Sequence, residues 1–222
     1  MKVLLDATPL MPTDLYTAGV YTKNLFRVLR GLGADLQMNY RKGAFKENQI
    51  EAHTGHGAKP FRSLFASKDS VIHGTDSALF SESDKFKKVL TIHHLGMYRE
   101  KIYKPRDCQR QQEFLQEELY KGPDAIIVPS TSVHNEFLTR FPKFAGKVHI
   151  IPYGCDHLID SSASRDRKVT EKPYFLFSGR LELRKNVVGV VRAFNQLAAI
   201  QKDVELVLVG GEGFAYDEIK KE

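Results

Sequence analysis

Apolar positions along this chain switch repeatedly between two periods. Short runs rich in leucine and β-branched residues read as strands of a buried sheet: residues 3–6, Val71-Ile72-His73, Val89-Leu90-Thr91-Ile92-His93 and Ala125–Val128. Between them, apolar residues recur at helical spacing. Tyr21, Leu25, Val28, Leu29 and Leu32 predict one helix, closed by Gly31 and Gly33. Residues 107–121 predict another, with Phe114, Leu115 and Leu119 inward and Gly122-Pro123 as its stop. Residues 131–141 predict a third, which buries Val133, Phe137 and Phe141 and is capped by Ser130 or Ser132. Asp35–Tyr40 alternates weakly and residues 148–151 are apolar, so both read as further strands. The polar, basic stretch from Arg41 to Pro60 reads as a long loop.

Alternation of strand and helix predicts an α/β fold, a Rossmann-like doubly wound parallel sheet with helices on both faces. Residues 1–156 read as one complete domain of this kind. Residues 157–172 are polar, with Ser161-Ser162-Ala163-Ser164 and no period, and read as a linker. The pattern then restarts: a strand at 174–178, a helix at 187–200, a strand at 204–209, Gly210-Gly211 and a short helix. Residues 173–222 thus read as the incomplete start of a second Rossmann-like domain. A two-stranded sheet with both edges open is marginal by itself.

Composition narrows the class. At 222 residues and 42% hydrophobic content the chain can bury a sizeable core. No apolar run approaches a membrane span, and Met1-Lys2-Val3-Leu4-Leu5-Asp6 turns acidic too soon for a secretory signal. Cys108 and Cys155 fit no metal spacing, and two isolated thiols point to a reducing cytoplasm. The net charge of +6 suits anionic partners. Arg41, Lys42, Lys46, Lys59 and Arg62 form one basic group, and Arg99, Lys101, Lys104, Arg106 and Arg110 another. Each reads either as a solvated face or as a patch for anionic lipid or a phosphorylated acceptor. Signatures of nucleic-acid binding are lacking.

The chemistry concentrates in Ser178-Gly179-Arg180-Leu181-Glu182-Leu183-Arg184-Lys185-Asn186. An apolar strand precedes this turn, and a helix with Val187, Val191, Phe194 and Ala198 on one face follows it. A helix N-terminus offers unpaired N–H groups and the positive end of the dipole. Arg180 and Lys185 would add a forked and a compact charge, which suits a diphosphate. Cations are disfavoured at a helix start, so two of them there call for an anionic ligand.

These segments, in order, resemble a family 4 retaining glycosyltransferase of the GT-B fold. The resemblance rests on Leu5-Asp6-Ala7-Thr8-Pro9-Leu10, Gly19-Val20-Tyr21-Thr22 with Asn24-Leu25, and Val89-Leu90-Thr91-Ile92-His93-His94-Leu95. It continues through Asp124-Ala125-Ile126-Ile127-Val128-Pro129-Ser130, Ile150-Ile151-Pro152-Tyr153-Gly154-Cys155-Asp156, the Ser178 turn and Leu206-Val207-Leu208-Val209-Gly210. It implies two Rossmann-like domains facing across a cleft, the N-terminal one on the acceptor side. It also implies transfer of a hexose from a nucleotide-diphosphate sugar to a glycan or lipid-linked acceptor, with no metal or other cofactor. Arg180 and Lys185 match the family's diphosphate-binding pair. Gly19 matches the glycine that opens the first helix near the donor, although the family often has two. His93 matches a histidine that contacts the transferred sugar or acceptor, the candidate catalytic residue. His94 stands where many members have Asp. His73, His94 and Ser130 are candidate acceptor or cleft residues, and Asp156 a structural one. The family's later Glu-x7-Glu pair, which holds donor sugar and ribose, is absent here; Glu212 and Glu218 are not that pair.

Three readings follow from the resemblance. The chain is one part of an active enzyme, truncated or completed by a separate C-terminal chain or a second copy. Or it is a non-catalytic remnant that binds a glycan, lipid or partner. Or it is a basic module on the same fold without sugar chemistry. A peripheral contact with an anionic membrane is a further expectation, and the module of the third reading could itself bind anionic lipid.

Overall fold

The computed structural model describes residues 1–12, 16–41, 49–62, 67–99, 105–156 and 169–222. Lys42, Lys46, Lys101, Lys104 and residues 157–168 of the expected linker lie outside the described residues. The chain divides into two compact units. One comprises Met1–Leu95 with Gln111–Ile159, the other Gly96–Arg110 with Asp160–Glu222.

The first unit is built on seven parallel strands: β1 (Lys2–Asp6), β2 (Asp35–Tyr40), β3 (Lys59–Pro60), β4 (Val71–Gly74), β5 (Lys87–Thr91), β6 (Ala125–Val128) and β7 (Val148–Ile150). They lie in the order β3-β2-β1-β4-β5-β6-β7. Leu5 sits opposite Met38 on one side and His73 on the other. Helices α1 (Thr17–Gly31), α2 (Ile50–Thr54), α3 (Pro105–Tyr120) and α4 (Thr131–Arg140) make the connections. Leu4, Leu5, Ile72, Leu90, Ile126 and Val128 are buried in the strands, as sheet residues covered on both faces must be. The strand order reverses between β1 and β4. In open α/β sheets the crevice beyond the strand C-termini at such a point is where ligands bind.

Several expectations are corrected. The buried face of α1 carries Gly19, Thr22 and Phe26, while Val28 and Leu32 are exposed. Thr22 is buried because its hydroxyl finds a partner in Thr75, 2.8 Å away and 53 residues along the chain. On α3, Leu115 and Leu119 are buried as expected, but Phe114 is exposed and Glu118 takes an inward position. Glu118 accepts from the Leu79 N–H (2.6 Å) and pairs with Lys121 (2.7 Å), which satisfies its charge. The stretch from Arg41 to Pro60 is not all loop. It contains α2, whose Ile50 is fully buried, and the edge strand β3. Strand β5 ends at Thr91, so His93 lies two residues beyond it.

The second unit pairs β8 (Tyr174–Ser178) with β9 (Glu205–Val209) in parallel, joined by α5 (Val187–Ile200) and followed by α6 (Tyr216–Lys221). Leu181, Val187 and Ile219 form its small core, with Phe177, Val188, Val191, Leu208 and Tyr216 packed around them. Phe175 and Leu176 of β8 remain exposed.

Candidate functional site

Two constellations carry chemistry, one in each unit. In the first unit, the switch point gathers Asp6, Thr22, Thr75, His73, Thr91, His93, Tyr21 and Tyr153. Thr75 is the hub. Its hydroxyl donates to the Asp6 carbonyl (2.8 Å) and receives the Thr22 hydroxyl, and its own carbonyl faces His93 Nε2 at 2.8 Å. A carbonyl only accepts, so His93 carries its proton on Nε2. Nδ1 is then the lone-pair nitrogen, and the Tyr153 hydroxyl donates to it at 2.6 Å. Burial pulls the His93 pKa down, against the opposing influence of the Asp76 charge and the Thr75 hydrogen bond, so the neutral ring is favoured. Tyr153, raised to about 12 chiefly by burial, keeps its proton.

His73 is buried at the C-terminal end of β4, with Nε2 2.9 Å from Thr91 Oγ1. Burial first, then the neighbouring His93, lowers its pKa to about 4. The same Thr91 oxygen lies 3.4 Å from the Tyr21 hydroxyl. The Tyr21 ring stands edge-on to His93 (centroids 5.1 Å) and tilted against Tyr153 (5.7 Å). His94 is exposed while His93 is half-buried, as expected of neighbours in extended chain. Gly19 is buried in the first turn of α1. Ser130 caps α4, its hydroxyl accepting from the Val133 N–H at 3.3 Å.

Asp6 closes this constellation from below. It is fully buried, and its Oδ1 accepts from the Thr8 backbone N–H (2.9 Å) and hydroxyl (2.5 Å). Oδ2 has Arg41 Nε at 3.5 Å. Desolvation dominates and holds the carboxyl above its ordinary pKa despite Arg41 and Thr8.

In the second unit, the turn after β8 is laced to the turn after β9. Gly179 N–H donates to the Val209 carbonyl (2.8 Å), Leu181 N–H to Gly211 (2.9 Å) and Gly213 N–H to Leu181 (3.1 Å). Gly210, at φ +155°, makes the close approach possible: a Cβ there would lie 1.8 Å from the Gly179 oxygen. Asn186 takes the left-handed conformation (φ 53°) and begins α5, and its side chain makes no capping hydrogen bond. Arg180 is 46% exposed; it donates to the Glu212 carbonyl (3.0 Å) and lies 3.7 Å from Glu182. Glu182 is buried and also pairs with Arg184 at 2.6 Å. Lys185 is exposed and forms no ion pair with another described residue.

The structure thus brings His93 and His73 together at the C-terminal ends of β4 and β5, and Arg180 and Lys185 to one turn. Sequence reasoning missed Thr75, Thr91, Tyr21, Tyr153 and Glu182. For Glu182 a signal was present: a carboxylate stands two residues from each of two arginines in the sequence. For the His93 partners no local signal exists, since Tyr153 is 60 residues away.

Residues 160–222 match the family model for glycosyl transferases, group 1. Over 203 residues, 86% of the chain, the protein is 24% identical to a probable sucrose-phosphate synthase of Thermosipho melanesiensis. The aligned part spans 41% of that relative's length. The C-terminal end of the chain is therefore similar to group 1 glycosyl transferases, and the longer alignment to that synthase is a distant one. Among the described residues, no helix is long and apolar enough to cross a membrane.

Proposed function

We propose that this chain provides the acceptor-side domain and the diphosphate turn of a retaining sugar transferase. In this reading a hexose moves from a nucleotide-diphosphate sugar to a glycan or lipid-linked acceptor. The observation that carries it is the turn from β8 into α5, which lies inside the segment matching the group 1 family. As the bond from the anomeric carbon to the diphosphate oxygen breaks, its electron pair goes to that oxygen. Arg180, Lys185 and the start of α5 take up the developing charge. These groups answer the charge of the leaving diphosphate without requiring a metal ion.

In the same reading His93 meets the transferred sugar or the acceptor, with His73, His94 and Ser130 on the acceptor side and Gly19 beside the donor. The relative's name, a synthase of sucrose phosphate, adds phosphorylated sugars to the acceptors and products worth assaying. Because the chain covers about two-fifths of that relative, turnover by the whole protein belongs to the proposal, as do a completing partner chain and contact with an anionic membrane.

The test is calorimetric titration of the full chain with uridine and guanosine diphosphate. Lys185 is exposed, so Lys185→Ala leaves the fold intact. Hydrogen bonds to charged groups contribute about 1.5–3 kcal/mol, so either Lys185→Ala or Arg180→Ala should weaken binding roughly tenfold to a hundredfold. Unchanged affinity in both variants would refute the diphosphate assignment.

A further inference from the structure

Both ring nitrogens of His93 are occupied within the protein. Nε2 is tied to the Thr75 carbonyl, deep in the switch-point network. Nδ1 is tied to Tyr153, and the two bonds differ in how firmly they are held. Thr75 sits in a buried segment directly after β4. Tyr153 sits in an exposed stretch after β7 and is itself 43% exposed. The Ile151 N–H donates to the Val128 carbonyl (2.9 Å), and that is where the sheet's hold on this stretch ends. No backbone hydrogen bond joins residues 153–156 to another described residue. Tyr153 is kept in place by its hydroxyl and by tilted ring contacts with Tyr21 and His93.

We infer that Tyr153 is a removable latch whose hydroxyl fills, on His93 Nδ1, the place of a ligand hydroxyl. The inference rests on the sugar-binding reading of His93. The ligand class it names is a polyhydroxylated sugar ring. Such a ring gives one O–H to Nδ1 and lays an apolar face against Tyr21. The exchange conserves hydrogen bonds at His93: one O–H donor leaves and another arrives, while the released phenol is hydrated. The Thr75 bond is untouched, so the ring keeps its tautomer and its lone pair stays aimed at the incoming hydroxyl. Tyr153 therefore acts through His93 as a positioning residue that competes with the ligand.

Tyr153→Phe separates this from a structural role, because it keeps the ring and removes only the hydroxyl. Nitrogen-15 spectra of the imidazoles in the full chain, with His93 assigned from the His93→Gln spectrum, read the latch directly. The Nδ1 resonance should move towards that of a lone pair without a hydrogen bond in Tyr153→Phe. D-glucose added to the wild type should change the environment of Nδ1 while leaving Nε2 protonated. Loss of one competing hydrogen bond should make Tyr153→Phe bind D-glucose about twofold to tenfold more tightly. Identical Nδ1 resonances in the two proteins would overturn the latch. So would D-glucose affinity that is equal or weaker in the variant, or uptake by neither protein. Binding of uridine diphosphate in the same samples reports on the Arg180–Lys185 turn alone, so failure of the donor reading and failure of the latch give different results.

Discussion

Replacing His73 by glutamine should flatten the acid limb of the protein's stability curve. His73 is buried against Thr91 and titrates near pH 4 in the folded protein, against an ordinary value of 6.5. On acidification the unfolded chain takes up a proton at this residue from about pH 6.5 downwards, and the folded chain does not until about pH 4. Stability is therefore complete above pH 6.5 and falls as pH drops through this window. The shift of about 2.5 units, at 1.36 kcal/mol per unit, corresponds to a loss of about 3 kcal/mol, of which about 2 kcal/mol is gone by pH 5. His93, also lowered by burial, acts in the same direction; Asp6, raised by burial, acts in the opposite one. Both remain in His73→Gln, and the glutamine amide can still reach Thr91. The assay is urea unfolding followed by circular dichroism at pH 7 and pH 5 for both proteins. The wild type should lose about 2 kcal/mol more than the variant between these pH values. Parallel losses would refute the assignment of the acid sensitivity to His73.

Two further outcomes follow from the packing. Gly210→Ala would place a methyl 1.8 Å from the Gly179 oxygen at a backbone angle that side chains rarely adopt, so it should disrupt the turn after β8 and abolish nucleoside diphosphate binding. Gly211→Ala next to it meets open space and should leave calorimetric affinity unchanged; equal behaviour of the two would contradict the close approach. Glu118→Ala removes the acceptor of the Leu79 N–H and the partner of Lys121, and should cost about 3 kcal/mol in urea unfolding at pH 7. A loss below about 1 kcal/mol would show that Glu118 does not anchor the segment at Leu79.

What was legible in the sequence is what neighbouring residues determine. Strand β8, the turn and α5 form one continuous local signal, and their order came out as read. The strand pattern of the first unit was equally legible, because strands covered on both faces must be apolar almost throughout. Misreadings arose where a polar residue had a distant partner. Thr22 takes an inward position on α1 because of Thr75, and Glu118 takes one on α3 because of Leu79 and Lys121. Apolar periodicity counts such positions as surface, so it turned Val28 and Phe114 inward instead. The candidate site was half visible. His93, His73, Arg180 and Lys185 stand at strand or helix ends that the pattern locates. Thr75, Thr91 and Tyr153 acquire their roles through contacts spanning 18 to 70 residues, which no local window contains.

The strand order of the large sheet also bears on how the protein is made. From β4 onwards every new strand pairs with the strand synthesised just before it: β5 on β4, β6 on β5, β7 on β6. Only the pairing of β4 with β1 reaches back, across the segment that contains α1, β2, α2 and β3. Once that pairing is made, the sheet can lengthen in one direction at the pace of translation, the growing edge always being the newest strand. On this order His73 and Thr75 would come into place with that early pairing and His93 soon after. Tyr153, next to the last strand added, would then close over His93 only when the sheet is finished.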